Sequence, residues 1–328
     1  MNPPVLLFGA FDRHNLGDIL LAAVAAAERP AAAAAGLVAR DMRPYGGPQV
    51  AALDAFAAPL TLVHVGGELL DCDAAQAAYM LGKPGRRWGR VAPYVVGRPG
   101  LPAGSRVEFH GVGGVGMAAR DAAFRDEVFA ALRDADVLTV RDRVTQALLA
   151  AAGIAADLAP DPVTRIAALF GRAIRSRIPG LGLPPGFVVM QFAAECGDDA
   201  TLAAFARGLD RIGLPVVLFR AGAAPWHDDL DPYARLAARL AVPVRLFESL
   251  DVRDICALIA ASRGCIATSL HARIVAEAFA VPALSLEREP GSALKLRAYL
   301  ATWSPAAAPL DPAAFAAGGF VFPATMPA

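Results

Sequence analysis

Lysine is almost missing from this chain: Lys83 and Lys295 are the only two, and arginine supplies the rest of the 31 basic residues. Such an arginine- and alanine-rich bias reflects genomic composition and carries little functional weight. The 31 acidic residues cancel the basic ones, so the formal net charge is zero. That excludes a global positive field of the kind that gathers nucleic acid or anionic membrane. Cysteine is scarce too. Cys72, Cys196, Cys256 and Cys265 are scattered and form no C-x-x-C pair, which reads as free thiols in a reducing compartment. Aromatic residues make up only 7%, too few to signal a large adhesive interface. Long apolar runs are lacking as well. The N-terminal MNPPVLLFGAFDRHN has no basic n-region, and its apolar run is too short for a signal peptide or a membrane span. A cytoplasmic location is the expectation. No His/Asp/Glu cluster shows metal-ligand spacing, so no metal is expected.

What is present is a long alternation of strand and helix signals. With 328 residues, of which 56% are hydrophobic, the chain can bury two cores of ordinary size. Residues 5–9, 60–65, 106–110 and 137–140 read as strands, with helices over 18–28, 121–133 and 143–152. A Gly/Pro-rich stretch, IPGLGLPPG at 178–186, breaks the pattern and marks the expected boundary. Beyond it, 187–192, 215–219, 265–268 and 283–286 are strand-like, separated by helical stretches. Repeated β-α units on both sides imply two doubly wound parallel sheets. The expected domains are 1–177 and 178–303. An Ala/Pro-rich tail, 304–328, is expected either to pack back on the first domain or to lack order. Ligands of such sheets lie beyond the carboxyl ends of the strands, so the strand-to-helix loops hold the candidate site.

Five loops stand out. In FDRHNLGD, Arg13, His14 and Asn15 supply donors, Gly17 permits close backbone approach, and Asp18 is placed to cap a helix. The loop is either an anion-attracting helix start or simply a capped β-α turn. Gly66 and Gly67 end a second strand, and HGVGGVG, with Gly113 and Gly114, ends a third. Neither forms a phosphate-binding P-loop or a dinucleotide fingerprint; each serves either ligand approach or helix packing. Arg141 and Asp142 follow the fourth strand. Asp142 suits an N-cap, while Arg141, at the tip of a buried strand, is suited to bidentate binding of carboxylate or phosphate. The fifth loop carries most weight. In GCIATSLHARIVAEAFAVP, Ser269 can cap a helix whose first turns hold His271 and Arg273, and a histidine there is positioned for proton transfer. The stretch Trp226-His227-Asp228-Asp229 reads either as a cleft wall contributing His227 or as a solvated loop.

Taken in order, these loops resemble the polysaccharide pyruvyl transferase family. Its N-x-G-D turn appears as Asn15-Leu16-Gly17-Asp18, and its glycine-ended strand as Gly66-Gly67-Glu68. Its glycine-rich loop corresponds to residues 111–116, its V-R-D to Val140-Arg141-Asp142 and its D-P to Asp161-Pro162. The closing stretch, 268–282, puts His271 in the histidine position. The resemblance spans residues 5 to 300. It implies a fold like glycosyltransferase type B (GT-B), with two facing Rossmann-like domains and an inter-domain cleft. It also implies phosphoenolpyruvate as co-substrate, no cofactor, and a saccharide hydroxyl pair as acceptor, joined as a pyruvate ketal in cell-surface glycan synthesis. A lipid-linked acceptor would bring peripheral membrane contact. On this reading His271 is the general acid and Asp18 the base. Arg141, Ser269 and Arg273 bind the donor, and the remaining loop residues line the cleft.

One departure stands out. Many members carry an arginine two residues before the histidine, where this chain has Ser269. Arg273, one helical turn on, is the expected replacement. Two alternatives remain open. A nucleotide-sugar glycosyltransferase of the same fold would use Glu277 beside the nucleotide, although the partner glutamate eight residues earlier is replaced by Ser269. A non-catalytic member of the family is the other.

Overall fold

The computed structural model describes residues 3–225, 227–318 and 322. Two compact units divide the chain, Met1–Val163 with Ala301–Pro305, and Thr164–Leu300 with Ala306–Ala328. The first contains β1 (Val5–Phe8), α1 (Leu16–Glu28), β2 (Ala33–Gly36), β3 (Arg40–Asp41), β4 (Gln49–Ala52) and β5 (Thr61–Val65). Then follow α2 (Ala74–Met80), β6 (Arg106–Val112), α3 (Ala122–Arg133), β7 (Val137–Val140), α4 (Arg143–Ala151) and β8 (Asp157–Leu158). Its eight strands run in the order β3-β4-β2-β1-β5-β6-β7-β8, all parallel except the β3–β4 pair. The chain reverses direction across the sheet at β1, with β2 on one side and β5 on the other. Loops after β1 and β5 therefore open at the switch point where such sheets bind ligands.

The second unit contains α5 (Ile166–Arg175), β9 (Val188–Gln191), α6 (Asp199–Ile212), β10 (Val216–Leu218), α7 (Leu230–Ala237) and β11 (Val244–Leu246). It continues with α8 (Val252–Ala261), β12 (Cys265–Ala267), α9 (Leu270–Ala278), β13 (Ala283–Ser285), α10 (Leu294–Trp303), whose last three residues fall with the first unit, and α11 (Pro312–Ala317). Five parallel strands lie in the order β11-β10-β9-β12-β13, with the switch point between β9 and β12. The central strands are buried on both faces, as a fully covered parallel sheet requires: every residue of β5, β9, β10 and β12 is buried.

The expected fold class is present, with three differences. The boundary lies at residue 163 rather than 177, because α5 packs on α8 and α9 of the second unit. The Gly/Pro-rich stretch is also held there: Arg177 pairs with Asp251 at 2.7 Å and Asp254 at 2.6 Å, and Arg245 donates to the Leu181 carbonyl at 3.1 Å. The tail divides. Residues 301–305 belong with the first unit, whereas α11 packs on α6 of the second, with Phe315 fully buried edge-on to Phe205 at 6.0 Å. Residues 319–321 and 323–328 lie outside the described residues. Finally, β2 is a strand made of Ala33-Ala34-Ala35-Gly36, helix-forming by propensity. Pairing with β1 and β4 overrides the propensity of the three alanines here; a Cβ at Gly36 would come within 2.7 Å of the Asp12 carboxyl carbon. All four cysteines are free and buried.

His64 on β5 shows how a titratable group is absorbed into this core. It is fully buried, stacks on Phe109 at 3.9 Å and meets Phe8 edge-on at 5.3 Å. Its Nε2 accepts from the Val96 amide at 3.1 Å, leaving Nδ1 to donate to the Glu108 carbonyl at 3.2 Å. Burial lowers its pKa to about 3 from 6.5. The unfolded chain thus binds the proton that the folded one refuses, so this contribution is present above pH 6.5 and lost as pH falls towards 3. A His64→Leu variant should lose less unfolding free energy over that interval than the wild type does. Parallel slopes in urea denaturation across the pH series would contradict this.

Candidate functional site

In the first unit the loop between β1 and α1 is folded inward. Asp12, Arg13, His14 and Asp18 are all buried. Asp12 accepts from the Val38 amide at 3.0 Å and from the Tyr94 hydroxyl at 3.1 Å. Arg13 donates through Nε to Asp18 Oδ2 at 3.1 Å and approaches Met80 Sδ at 3.1 Å. Its guanidinium also lies 5.7 Å from the Tyr94 ring centroid. Burial works against the Arg13 charge, but Asp18, Tyr94, Cys72 and Asp12 acting together outweigh it and hold the pKa above the ordinary value. His14 packs edge-on against Tyr45 at 4.9 Å. The helix cap is Asn15 rather than Asp18: Asn15 Oδ1 accepts from the Asp18 amide at 3.2 Å, and α1 includes Leu16 and Gly17. Asp18 is thereby released from capping, with its carboxylate beside Gly67.

The next three loops are bound together by one ion-pair group. Arg141, 2% exposed, pairs with Glu68 and also with Asp161 at 3.0 Å. Glu68 additionally accepts from the Val115 amide at 2.7 Å. Gly113 is glycine because its Cβ would lie 2.6 Å from Glu68 Oε2 and 2.8 Å from Arg141 Nε. Gly66, at φ +53°, backs onto Leu21 of α1, and Gly114 onto Leu70. Gly66, Gly113 and Gly114 thus each make room for side chains of their own unit. Arg141 differs from expectation, since two carboxylates occupy the guanidinium assigned above to an anionic donor. Asp142 caps α4 through the Thr145 amide at 2.7 Å.

The second unit places a polar network at its switch point. Gln191 ends β9; its Oε1 accepts from the Ser269 amide at 2.9 Å, and its Nε2 donates to Asp228 Oδ1 at 2.9 Å. Asp228 Oδ2 accepts from the Ala221 amide at 2.6 Å. Burial raises the Asp228 pKa to about 7, against the lowering effect of these donors. Ser269 caps α9 by accepting from the Ala272 amide at 3.3 Å. His271, partly exposed, lies in the first turn. Arg220, just past β10, has a buried Nε with no hydrogen-bond partner among the described residues, and its charge acts on Asp228. His227 packs against Gly222, and its carbonyl accepts from the Ala194 amide at 3.1 Å; Trp226 lies outside the described residues. No group of three or more His, Cys, Asp or Glu able to hold a metal ion occurs among the described residues.

The family model described as polysaccharide pyruvyl transferase matches residues 111–290, more than half of the chain. The chain belongs to that family. The match covers the Gly113 loop, Arg141, Asp161 and the whole α9 segment with His271. No protein of curated function matches the sequence. Among solved structures, the UDP-N-acetylglucosamine 2-epimerase from Rickettsia bellii aligns with TM-score 0.54 and 12% identity, over 92% of this chain and 88% of the other. The UDP-GlcNAc 2-epimerase from Methanocaldococcus jannaschii aligns with TM-score 0.54 and 10% identity, over 88% and 84%. At such identities the likeness is one of fold, GT-B in class with two Rossmann-like units.

For a pyruvyl transferase family member, the α9 region needs one correction. Arg273 does not replace the arginine absent at Ser269. It is buried, pairs with Glu277 at 2.9 Å, and donates to the Ala283 carbonyl at 3.2 Å and Ser285 Oγ at 3.0 Å. Its geometry follows from the i,i+4 spacing to Glu277 and from packing beside β13. The same pair removes Glu277 from the nucleotide role of the glycosyltransferase alternative. Arg220, Gln191 and the network role of Asp228 were not legible in the sequence, because the end of β9 and the loop after β10, separated along the chain, bring them together. Arg141→Ala should take the shared guanidinium from the buried Asp161 and the partly buried Glu68 and destabilise the ligand-free protein by about 3–5 kcal/mol. An unchanged urea midpoint for that variant would return Arg141 to the list of free ligand-binding groups.

Proposed function

We propose that this protein transfers a pyruvyl group from phosphoenolpyruvate to two hydroxyls of a saccharide, giving a cyclic pyruvate ketal and inorganic phosphate. One observation carries the reading: a family-matched helix start at a switch point, with a capping serine and a first-turn histidine, tied through Gln191 to Asp228, on which the charge of Arg220 acts without an ion pair among the described residues. Open amides at a helix N-terminus attract anions, and phosphoenolpyruvate carries both a phosphate and a carboxylate. In this reading α9 and Arg220 take the donor in place of Arg273 and Arg141, while the Asp18 loop serves the acceptor.

The chemistry balances as follows. His271 delivers a proton to the methylene carbon, and C2 becomes oxocarbenium-like. One sugar hydroxyl adds to C2, the C2–O bond to phosphate breaks, and the second hydroxyl closes the ketal. Of the two hydroxyl protons, one replaces that spent on the new methyl group and the other leaves with phosphate. Asp18 is the base assigned to the acceptor, and the donor-side cations stabilise the departing phosphate.

Thermal unfolding in the presence of phosphoenolpyruvate, with nucleotide sugars in parallel, tests the donor. A ligand at about a hundred times its dissociation constant adds roughly 2.7 kcal/mol, and the stabilisation should fall in Arg220→Gln. Stabilisation by a nucleotide sugar alone would instead support the glycosyltransferase. His271→Ala should lower turnover by about a hundredfold or more with unfolding unchanged, and near-normal turnover would remove His271 from proton transfer.

A further inference from the structure

Between Asp73 and Glu108 the chain has no acidic residue but six cations, namely Lys83, Arg86, Arg87, Arg90, Arg98 and Arg106. In a chain of zero net charge, this is a local excess. Arg98 and Arg106 are drawn to Asp136, at 3.1 and 3.7 Å. The other four lie within eight positions, in the connection that follows α2, and form no ion pair among the described residues. Lys83, Arg86 and Arg87 are exposed. Apolar groups are set among them: the Arg86 guanidinium lies 4.3 Å from the Trp88 ring centroid, and Tyr79 and Val91 are 42% and 43% exposed. Trp88 Nε1 is buried and meets no acceptor among the described residues. Together Tyr79, Pro84, Arg86, Arg87, Trp88 and Arg90 border an open cavity of about 650 Å³.

Clustered arginines beside tryptophan, tyrosine and valine match the two layers of a bilayer surface. Cations meet lipid phosphates, and amphipathic rings settle at headgroup depth. No helix among the described residues is long and apolar enough to cross a membrane, so the contact concerned is peripheral. We propose that the segment 79–91 docks the first unit on an anionic phospholipid surface. The segment adjoins the candidate acceptor loop, because Met80, at the end of α2, is the residue whose sulfur meets Arg13. Docking would therefore hold the Asp18 loop near a saccharide carried on a membrane lipid. The proposal does not depend on the donor assigned above, and its test needs no substrate.

The test is co-sedimentation of the full chain with vesicles of phosphatidylcholine, alone or mixed with phosphatidylglycerol, at low and high salt. Binding should require the anionic lipid and weaken with salt. Each surface cation removed should lower the partition coefficient about fivefold, so Arg86→Gln/Arg87→Gln should lower it about thirtyfold. The control Arg235→Gln/Arg239→Gln removes two charges from the second unit and should bind like the wild type. Four results would overturn the proposal: equal binding to neutral vesicles, no binding to anionic ones, wild-type binding by the loop variant, or an equal loss in the control. Release by inorganic phosphate at ionic strength matched with chloride would also overturn it, pointing to a small-anion site instead.

Discussion

A guanidinium buried at the end of a sheet strand cannot be left alone, and much of the first unit's loop edge, at the carboxyl ends of its strands, follows from that constraint. Arg141 sits at the tip of β7 with almost no exposure. Its charge persists because Glu68, after β5, and Asp161, after β8, approach it from different loops. A single buried charge would cost several kcal/mol; the two carboxylates offset this and in doing so fix where three loops meet. Glu68 also binds the Val115 amide, so the loop after β6 is held too. The space filled by this group explains why residue 113 has no side chain.

The second unit uses a neutral amide side chain for the same purpose. Gln191 joins the Ser269 amide to the Asp228 carboxyl, and Asp228 joins the loop after β10. The start of α9 is thus positioned by an amide side chain from the neighbouring strand. Burial raises the Asp228 pKa to about 7, within the network that holds the start of the helix carrying His271. Arg220 supplies cationic character beside this network, at a place separated in sequence from the family's absent arginine.

Much of the fold was legible in the sequence. Buried parallel strands such as Leu60–Val65 and the stretch around Val188 are short continuous apolar runs, which local pattern identifies. The alanine-rich β2 was not legible, because its strand state comes from pairing with β1 and β4 rather than from its residues. The helix α5 was assigned to the wrong unit for a related reason: a Gly/Pro-rich stretch marks a break in pattern, but contacts decide to which core a helix belongs. At the site, Ser269 and Asp142 are caps, as local spacing indicated. The assignments of Arg141 and Arg273 to an anionic donor differ from their observed pairings, because neither partner set follows from the position of an arginine at a strand or helix end.

By itself, then, the sequence determined the alternating α/β order, the family, and the placement of His271 in the first turn of a capped helix. These depend on local periodicity, turn chemistry and residue order along the chain. Tertiary structure alone decided which arginines are already neutralised and which are not. Arg141 and Arg273 meet carboxylates within their own units, whereas Arg220 and the basic loop at 83–90 carry no ion pair among the described residues. The reason is physical: electrostatic partnership falls off over a few ångströms, and those ångströms are set by how strands far apart in sequence lie side by side.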